Sequence, residues 1–162
     1  GWGLCIRARP HYNLLHRDDV EGPGARGQVA AELGMGLMPY FALAAGFLTG
    51  KYRRDETIDG DRAGMVADYQ RPECYDVVET VVRVAADHGV EPAAVALAWL
   101  RDRPGVTAPL ASARDLNQLR PIMEALTLEI SDEETRALTR VSDAARPCPV
   151  AVSASTYRAR LP

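Results

Sequence analysis

Apolar and polar positions follow two different periods along this chain. Short apolar runs of strand length lie at 4–6, 35–38 and 106–111, bounded by Gly, Pro or polar clusters. Elsewhere apolar residues recur three and four apart, the spacing of a helix with one buried face. The first run, Leu4-Cys5-Ile6, predicts a strand that sends Arg7 and Arg9 out of the core at its end. Residues 11–24 read as a polar loop with turn chemistry at Gly22-Pro23-Gly24. A helix is expected over 25–33, with Val29, Ala30 and Leu33 on one face, Gly34 as its stop and Gly27 weakening it. The strand that ends at Tyr40 comes next. Residues 51–72 are polar and too long for a passive connection, which makes them either a functional lid or a mobile segment.

From Glu73 the period is helical through Val77, Val78, Val81, Val82 and Ala85, and Gly89 ends the run. Pro92 suits the first turn of another helix, where its missing N–H costs nothing; Val95, Ala98, Trp99 and Leu100 make that helix apolar on nearly every side. It must be buried on several faces. The strand at 106–111 is entered through a Pro104-Gly105 turn. Asp115 with Gln118 has the form of a capping box, for a helix expected to carry Leu116, Leu119 and Met123 inward; Pro121 inside it is a defect of about 3 kcal/mol unless the helix kinks. Ser131 with Glu134 repeats the capping signal and opens a last helix with Leu138 and Val141 on its buried side. Residues 1–145 thus form one α/β domain, because strands alternating with helices demand parallel pairing and right-handed crossovers; 146–162 is an irregular tail.

Composition narrows the function classes. A chain of 162 residues with 47% hydrophobic residues has enough apolar surface for a real core. Its 19 basic and 22 acidic residues are mixed without long blocks, so neither nucleic acid nor an anionic membrane is an expected partner. No apolar run approaches the roughly 20 residues of a membrane span, and the first residues lack a signal pattern. The three cysteines are irregularly spaced, which gives neither a disulfide framework nor a paired-cysteine metal site and fits a reducing, cytoplasmic compartment. The absence of an initiating methionine fits a chain that begins inside something longer.

Candidate chemistry gathers behind the strand that ends at Tyr40. The chain leaves the sheet there, the usual position of ligands in α/β proteins, and Gly46, Gly50 and Gly60 would let the backbone approach a flat or phosphorylated ligand closely. The alternative is a core tyrosine ending a strand. Lys51, Arg53 and Arg54 are equally readable as solvated surface charges.

Four segments resemble the aldo-keto reductases: Pro10-His11-Tyr12-Asn13-Leu14; Pro39-Tyr40 through Gly46-Phe47-Leu48-Thr49-Gly50-Lys51-Tyr52; Val95-Ala96-Leu97-Ala98-Trp99-Leu100; and Pro109-Leu110-Ala111-Ser112-Ala113-Arg114 with Gln118-Leu119 behind it. The resemblance implies a partial (β/α)8 TIM barrel, its last three strand-helix units, with strands at 4–9, 37–40 and 106–111. It also implies an NADP(H) site. The tyrosine matching Tyr40 would stack on the nicotinamide, a segment matching 41–51 and including Leu43, Gly46 and Lys51 would wrap the pyrophosphate, and Ser112, Arg114 and Gln118 would hold the adenosine phosphate. An arginine at a helix start suits a phosphate dianion, although Arg114 is also readable as solvated and Gln118 as the partner of Asp115 in the cap.

The family's catalytic Asp, Tyr, Lys and His belong to earlier strands and have no counterpart among these residues, so catalytic residues are expected to be absent. Tyr12, His11, Tyr40 and Lys51 have no spacing that would fill those roles. Arg9 stands where the family usually has a glutamine on the nicotinamide carboxamide, Phe41-Ala42 replace Ser-Pro, and Ile122 replaces an asparagine at the adenine. Together these departures would weaken dinucleotide binding by about one or two orders of magnitude. Two functions are therefore expected: the cofactor-holding part of an oxidoreductase acting on small carbonyl or alcohol substrates, inactive alone, or a non-catalytic binding protein that pairs through open strand edges with itself or a complementing chain.

Overall fold

The computed structural model describes residues 6–52, 54 and 63–146. Its sheet is small and parallel. β1 (Arg7–Ala8) pairs with β2 (Gly36–Leu37) in the register Arg7 to Gly36 and Ala8 to Leu37. Backbone bonds extend the pairing on both sides, from Gly36 N–H to the Ile6 carbonyl and from Tyr40 N–H to that of Pro10, and His11 forms a parallel bridge to Tyr40. The third apolar run lies along the other edge of β2. It joins by one parallel bridge, Leu37 to Val106, and by Thr107 N–H to Leu37 and Leu110 N–H to Pro39. Among the described residues the sheet therefore has two strands and a bridged third segment, short of the three full strands expected at 4–9, 37–40 and 106–111. Pro10, Pro39 and Pro109 have no N–H to donate and interrupt each ladder. Leu4 and Cys5, most of 51–62 and the tail beyond Arg146 lie outside the described residues.

Helices cover the sheet: α1 (Arg26–Glu32), α2 (Ala63–Val66), α3 (Pro72–His88), α4 (Pro92–Arg101), α5 (Leu116–Glu124) and α6 (Asp132–Ala144); all but α2 follow the expected order, and α2 is a single turn inside the stretch 51–72 read as a polar connection. α4 starts with Pro92 in its first turn and α3 ends at Gly89 in the left-handed conformation, as the sequence indicated; α3 itself begins one residue earlier than expected, at Pro72, which takes the same first-turn position. Every residue of α4 from Ala93 to Leu100 is buried. This apolar helix is the centre of the core, packed between α3 and α5, with Trp99 fully buried and its indole N–H on Thr139 of α6 at 3.2 Å. Ser131 and Glu134 form the reciprocal capping box that opens α6; Leu138 is fully buried and Val141 partly so.

Two helices present different faces from those expected. On α1 only Ala30 is buried; Val29 and Leu33 are exposed. Its Gly27 is there for space, since a Cβ would overlap the Val20 carbonyl oxygen. On α5, Leu116, Leu119 and Met123 face outward, at 80%, 40% and 54% exposure, while Pro121 is the buried residue. The helix continues through Pro121 for another turn, so the proline is an inward apolar contact rather than a stop.

Candidate functional site

A groove of about 1100 Å³ opens at the carboxyl ends of the parallel segments, where Phe41 follows Tyr40 and Leu110 follows Val106. One wall is the backbone that leaves β2. After Tyr40 it passes through Phe41, Ala42 and Leu43 into a 3-10 segment, Ala44–Thr49. The opposite wall is Leu110, Ala111, Ser112 and Arg114, followed by Asn117, Gln118, Pro121 and Ile122 on the first turns of α5. Glu91 and Ala93, at the start of α4, close the floor.

Backbone strain is concentrated in this first wall. Phe41, Ala44 and Ala45 have φ of 55°, 49° and 56°, and no other described non-glycine residue has a positive φ. Gly46 follows at 96°. A left-handed alanine costs about 1 to 2 kcal/mol, so three such residues in six positions persist only where the surroundings hold them. Here the anchors are explicit. Phe47 and Leu48 are fully buried, and the Phe47 ring lies 5.2 to 5.9 Å from those of Tyr75, Tyr69 and Tyr52. The Thr49 hydroxyl donates to the Gly46 carbonyl at 2.8 Å. Gly50, at φ 74°, fits beneath Val82 and Pro92, which a side chain there would strike.

The cationic groups of the groove are Lys51 and Arg114, and neither makes an ion pair with any described residue. Lys51 Nζ sits 4.6 Å from the centre of the Tyr52 ring, and Arg114 is exposed at the mouth of α5. The N-terminus of α5 is capped by Asp115, whose carboxylate accepts from Gln118 N–H at 2.9 Å. Gln118 does not return the bond to its own cap residue. Its side-chain oxygen accepts from Arg114 N–H at 3.2 Å instead, which tethers the arginine's backbone to the helix.

Of the residues singled out in the sequence, Leu43, Gly46, Lys51, Ser112, Arg114 and Gln118 all line this one groove. Arg9 and Tyr40 do not. Arg9 is exposed beyond the end of β1, and the half-buried Tyr40 ring lies 5.4 Å from His11 and 5.3 Å from Phe41; the aromatic residues that line the groove are Phe41 and Tyr52. Thr49 and Asn117 fall within the two segments expected at the cofactor, whereas Tyr52 and Glu91 line the groove without having been assigned to it, and the strain in Ala44-Ala45 carries no compositional signal at all.

Two buried polar clusters lie in the core, and the first is bonded to the groove wall. His11 stacks on His16 with ring centroids 3.9 Å apart; Asn13 reaches the Phe41 carbonyl at 2.8 Å and lies 3.3 Å from the His11 ring nitrogen. Burial and the neighbouring His16 push the His11 pKa down to about 4, against a smaller upward pull from Asp19. The second cluster centres on Arg17, which grips Glu21 at 2.5 and 2.8 Å and also reaches Asp143, the Thr139 carbonyl and Ser142. Tyr12 donates to Glu21 at 2.6 Å; burial and this carboxylate raise its pKa, so the phenol keeps its proton. Burial alone would raise Glu21, but the hydrogen bonds from Arg17 and Tyr12 carry it below the usual carboxylate range. These groups are structural. Among the described residues no cluster of three metal-ligating side chains exists, and no helix is long and apolar enough to cross a membrane.

The sequence pattern of the Aldo/keto reductase family matches residues 8–143, and the chain belongs to that family. It is 31% identical over 141 residues to aldo-keto reductase AMT2 of Alternaria alternata, covering 85% of this chain and 36% of that protein. Protein tas of Escherichia coli is 33% identical over 125 residues, covering 75% of this chain and 35% of its own length. Among solved structures, the glycerol dehydrogenase AKR11B4 of Gluconobacter oxydans matches with a TM-score of 0.73 at 23% identity, over 93% of this chain and 46% of that one. The shared fold is that of its family, and the chain spans less than half the length of these relatives.

Proposed function

We propose that this chain supplies the dinucleotide-holding wall of an NADP(H)-dependent oxidoreductase that acts on small carbonyl or alcohol substrates. The observation that carries the reading is the juxtaposition of a strained, glycine-containing backbone turn, Phe41 to Gly46, with two cations that no described side chain neutralises, across a groove at the carboxyl ends of parallel strands. Strain of this kind persists at ligand clamps, and a groove so placed is where α/β proteins take nucleotides. The donor set suits the ligand: Ser112, Arg114 and Gln118 line one side of the groove and are proposed to receive a phosphate monoester, with Lys51 opposite for a pyrophosphate. When bound, a nicotinamide dinucleotide supplies hydride chemistry; this chain's residues bind and orient it.

The acid–base group that would complete the reaction is proposed to lie outside these 162 residues, so that the chain alone turns over no substrate. Tyr12 is committed to Glu21 and His11 is buried in a stack, which leaves neither able to serve a carbonyl in the groove. A cytoplasmic site of action is part of the same proposal.

The direct test is calorimetric titration of the chain with NADPH and NADH. Saturable binding of NADPH is expected, and Arg114→Ala should weaken it by about 10- to 100-fold while changing NADH affinity little, as expected for a charged hydrogen-bonding pair worth about 1.5 to 3 kcal/mol. Absence of saturation at millimolar NADPH overturns the reading. A second reading, a binding protein that pairs through its open edges, is favoured by one feature: β1 has a pairing partner on one side only among the described residues, and Ile6 next to it is 57% exposed. It predicts self-association, or capture of a complementing chain, independent of nucleotide.

A further inference from the structure

The strained wall of the groove begins at Phe41, and the Phe41 carbonyl is the point where it is tied to the body of the fold. That oxygen accepts two hydrogen bonds, both at 2.8 Å: one from Ala44 N–H, inside the turn, and one from the Asn13 side-chain amide, from outside it. Asn13 is 1% exposed and is not among the residues that line the groove. Its own position is fixed independently. Backbone bonds in both directions at 3.1 Å join it to His16, and its side-chain oxygen accepts from Leu15 N–H at 2.8 Å. With the oxygen committed to Leu15, the amide nitrogen is the end that meets Phe41, and the same nitrogen lies 3.3 Å from His11 Nε2. An amide nitrogen only donates, so Nε2 presents a lone pair and the imidazole proton sits on Nδ1. Burial and the neighbouring His16 keep the ring neutral near pH 7, as that tautomer requires.

We propose that Asn13 is a positioning residue for ligand binding, which holds the groove wall in its strained shape through the Phe41 carbonyl, and that neutral His11 fixes the orientation in which it does so. The inference rests on the dinucleotide reading above and adds the group that keeps the wall ready for its ligand. Phe41 has φ 55°, a conformation that a non-glycine residue leaves when nothing holds it. Leaving it would re-aim the adjoining peptide units, and a carbonyl oxygen released toward the groove would meet the phosphates of a dinucleotide with like partial charge. One buried hydrogen bond contributes about as much as the left-handed backbone costs, so loss of the Asn13 bond suffices to change which conformer predominates. Ala44 N–H cannot replace it, because it belongs to the turn itself. If Asn13 served only the stability of the 11–16 loop, ligand affinity of the folded protein would not depend on it.

The experiment is calorimetric titration with NADPH at pH 7.5 of the unaltered chain, of Asn13→Ala, of Phe41→Gly and of the double variant. Glycine takes a positive φ without steric cost, so a glycine at this position needs little holding. Asn13→Ala should raise the dissociation constant at least fivefold, the factor by which the binding-competent conformer is depleted, and less than threefold when made in Phe41→Gly. Each comparison is within one background, so contacts of the Phe41 ring with the ligand cancel. A loss under fivefold in the first background, or of threefold or more in the second, overturns the inference and leaves the dinucleotide reading intact; no saturation of the unaltered chain at millimolar NADPH overturns both. Nitrogen-15 NMR of the histidine rings in the unaltered, ligand-free chain is an arm that survives a failure of Asn13→Ala to fold. The His11 ring should carry its proton on Nδ1, with Nε2 bare. A proton on Nε2 overturns the inference, because the Asn13 amide would then be turned about and could not donate to Phe41.

Discussion

Acid should destabilise this protein well above the range in which its carboxylates titrate, and His11 is the reason. In the folded chain its imidazole is 3% exposed, stacked on His16, with Tyr40 and Phe41 on its other sides. Burial, and the proximity of His16, lower its pKa from 6.5 to about 4. The unfolded chain therefore binds the proton at pH values where the folded chain does not, and stability rises with pH across that window. The contribution is fully present above about pH 6.5, falls as pH drops toward 4, and is constant below that. With these two values the loss relative to pH 7.5 is about 2 kcal/mol at pH 5 and about 3 kcal/mol at pH 4. That is a large share of the 5 to 15 kcal/mol typical of a domain. Urea unfolding at pH 7.5, 6.5, 5.5 and 5.0 measures it, and His11→Phe isolates it by keeping a flat ring on His16 while removing the titrating nitrogen. The drop between pH 7.5 and 5 should shrink by about 2 kcal/mol in the variant. His16, also lowered by burial against the pull of Asp19, accounts for a remainder of the same sign. Glu21 and Glu134 are held below the usual carboxylate range, so their contributions are lost only as pH falls further. An undiminished acid loss in His11→Phe would refute the argument.

Two further perturbations test the Arg17 cluster and the strained turn. Arg17→Ala leaves Glu21 half-buried with only Tyr12 and the more exposed Arg146 as partners, and should cost about 3 to 5 kcal/mol in urea unfolding at pH 7.5; a loss under about 1 kcal/mol would mean that Arg146 takes over the site. Ala45→Gly relieves a left-handed alanine at φ 56°, a gain of about 1 to 2 kcal/mol set against the extra freedom of glycine in the unfolded chain, so its melting temperature should stay level or rise. A fall like that of Ala→Gly in an ordinary helix would show that the turn is unstrained.

What the sequence made legible follows from how local the determinants are. Pro92 and Gly89 set helix ends by backbone sterics, and Ser131 with Glu134 sets another by a reciprocal bond, so all three were readable without any partner. The eight consecutive buried residues of α4 announced their position by having no polar face. By contrast, Leu116, Leu119 and Met123 have helical spacing and still face outward, because which side of α5 is inward is decided by α4 and by Pro121, not by the count of apolar residues. The same holds for Val29 and Leu33 on α1. Six of the eight residues expected to hold a cofactor meet in one groove, and those six lie in two continuous stretches, 43–51 and 112–118. Arg9 and Tyr40 sit at strand ends where a single residue's offset changes the side to which a side chain points. That offset is set by the pairing of Tyr40 with Pro10 and His11, a tertiary fact.

The strained turn explains why so much aromatic surface is placed where it is. Phe41, Ala44 and Ala45 together store about 3 to 6 kcal/mol of backbone conformational energy in a segment that contributes no strand or regular helix. Burying Phe47 and Leu48 returns about 1.5 to 3 kcal/mol each, and the three rings around Phe47 add about 0.5 to 1.5 kcal/mol per well-placed pair. The two are of the same size. The aromatic cluster therefore does for the turn what hydrogen bonds do for a helix, and because Tyr69 precedes α3 and Tyr75 lies on it, the anchor reaches the turn from a part of the chain distant in sequence. From the other side the turn is held by Asn13 on the Phe41 carbonyl, beside the His11–His16 stack. Packed from both sides, the turn still contributes Phe41, Ala42, Leu43, Ala45 and Gly46 to the groove lining, a wall preorganised by packing behind it, with the Phe41, Leu43 and Gly46 carbonyls already satisfied within the protein.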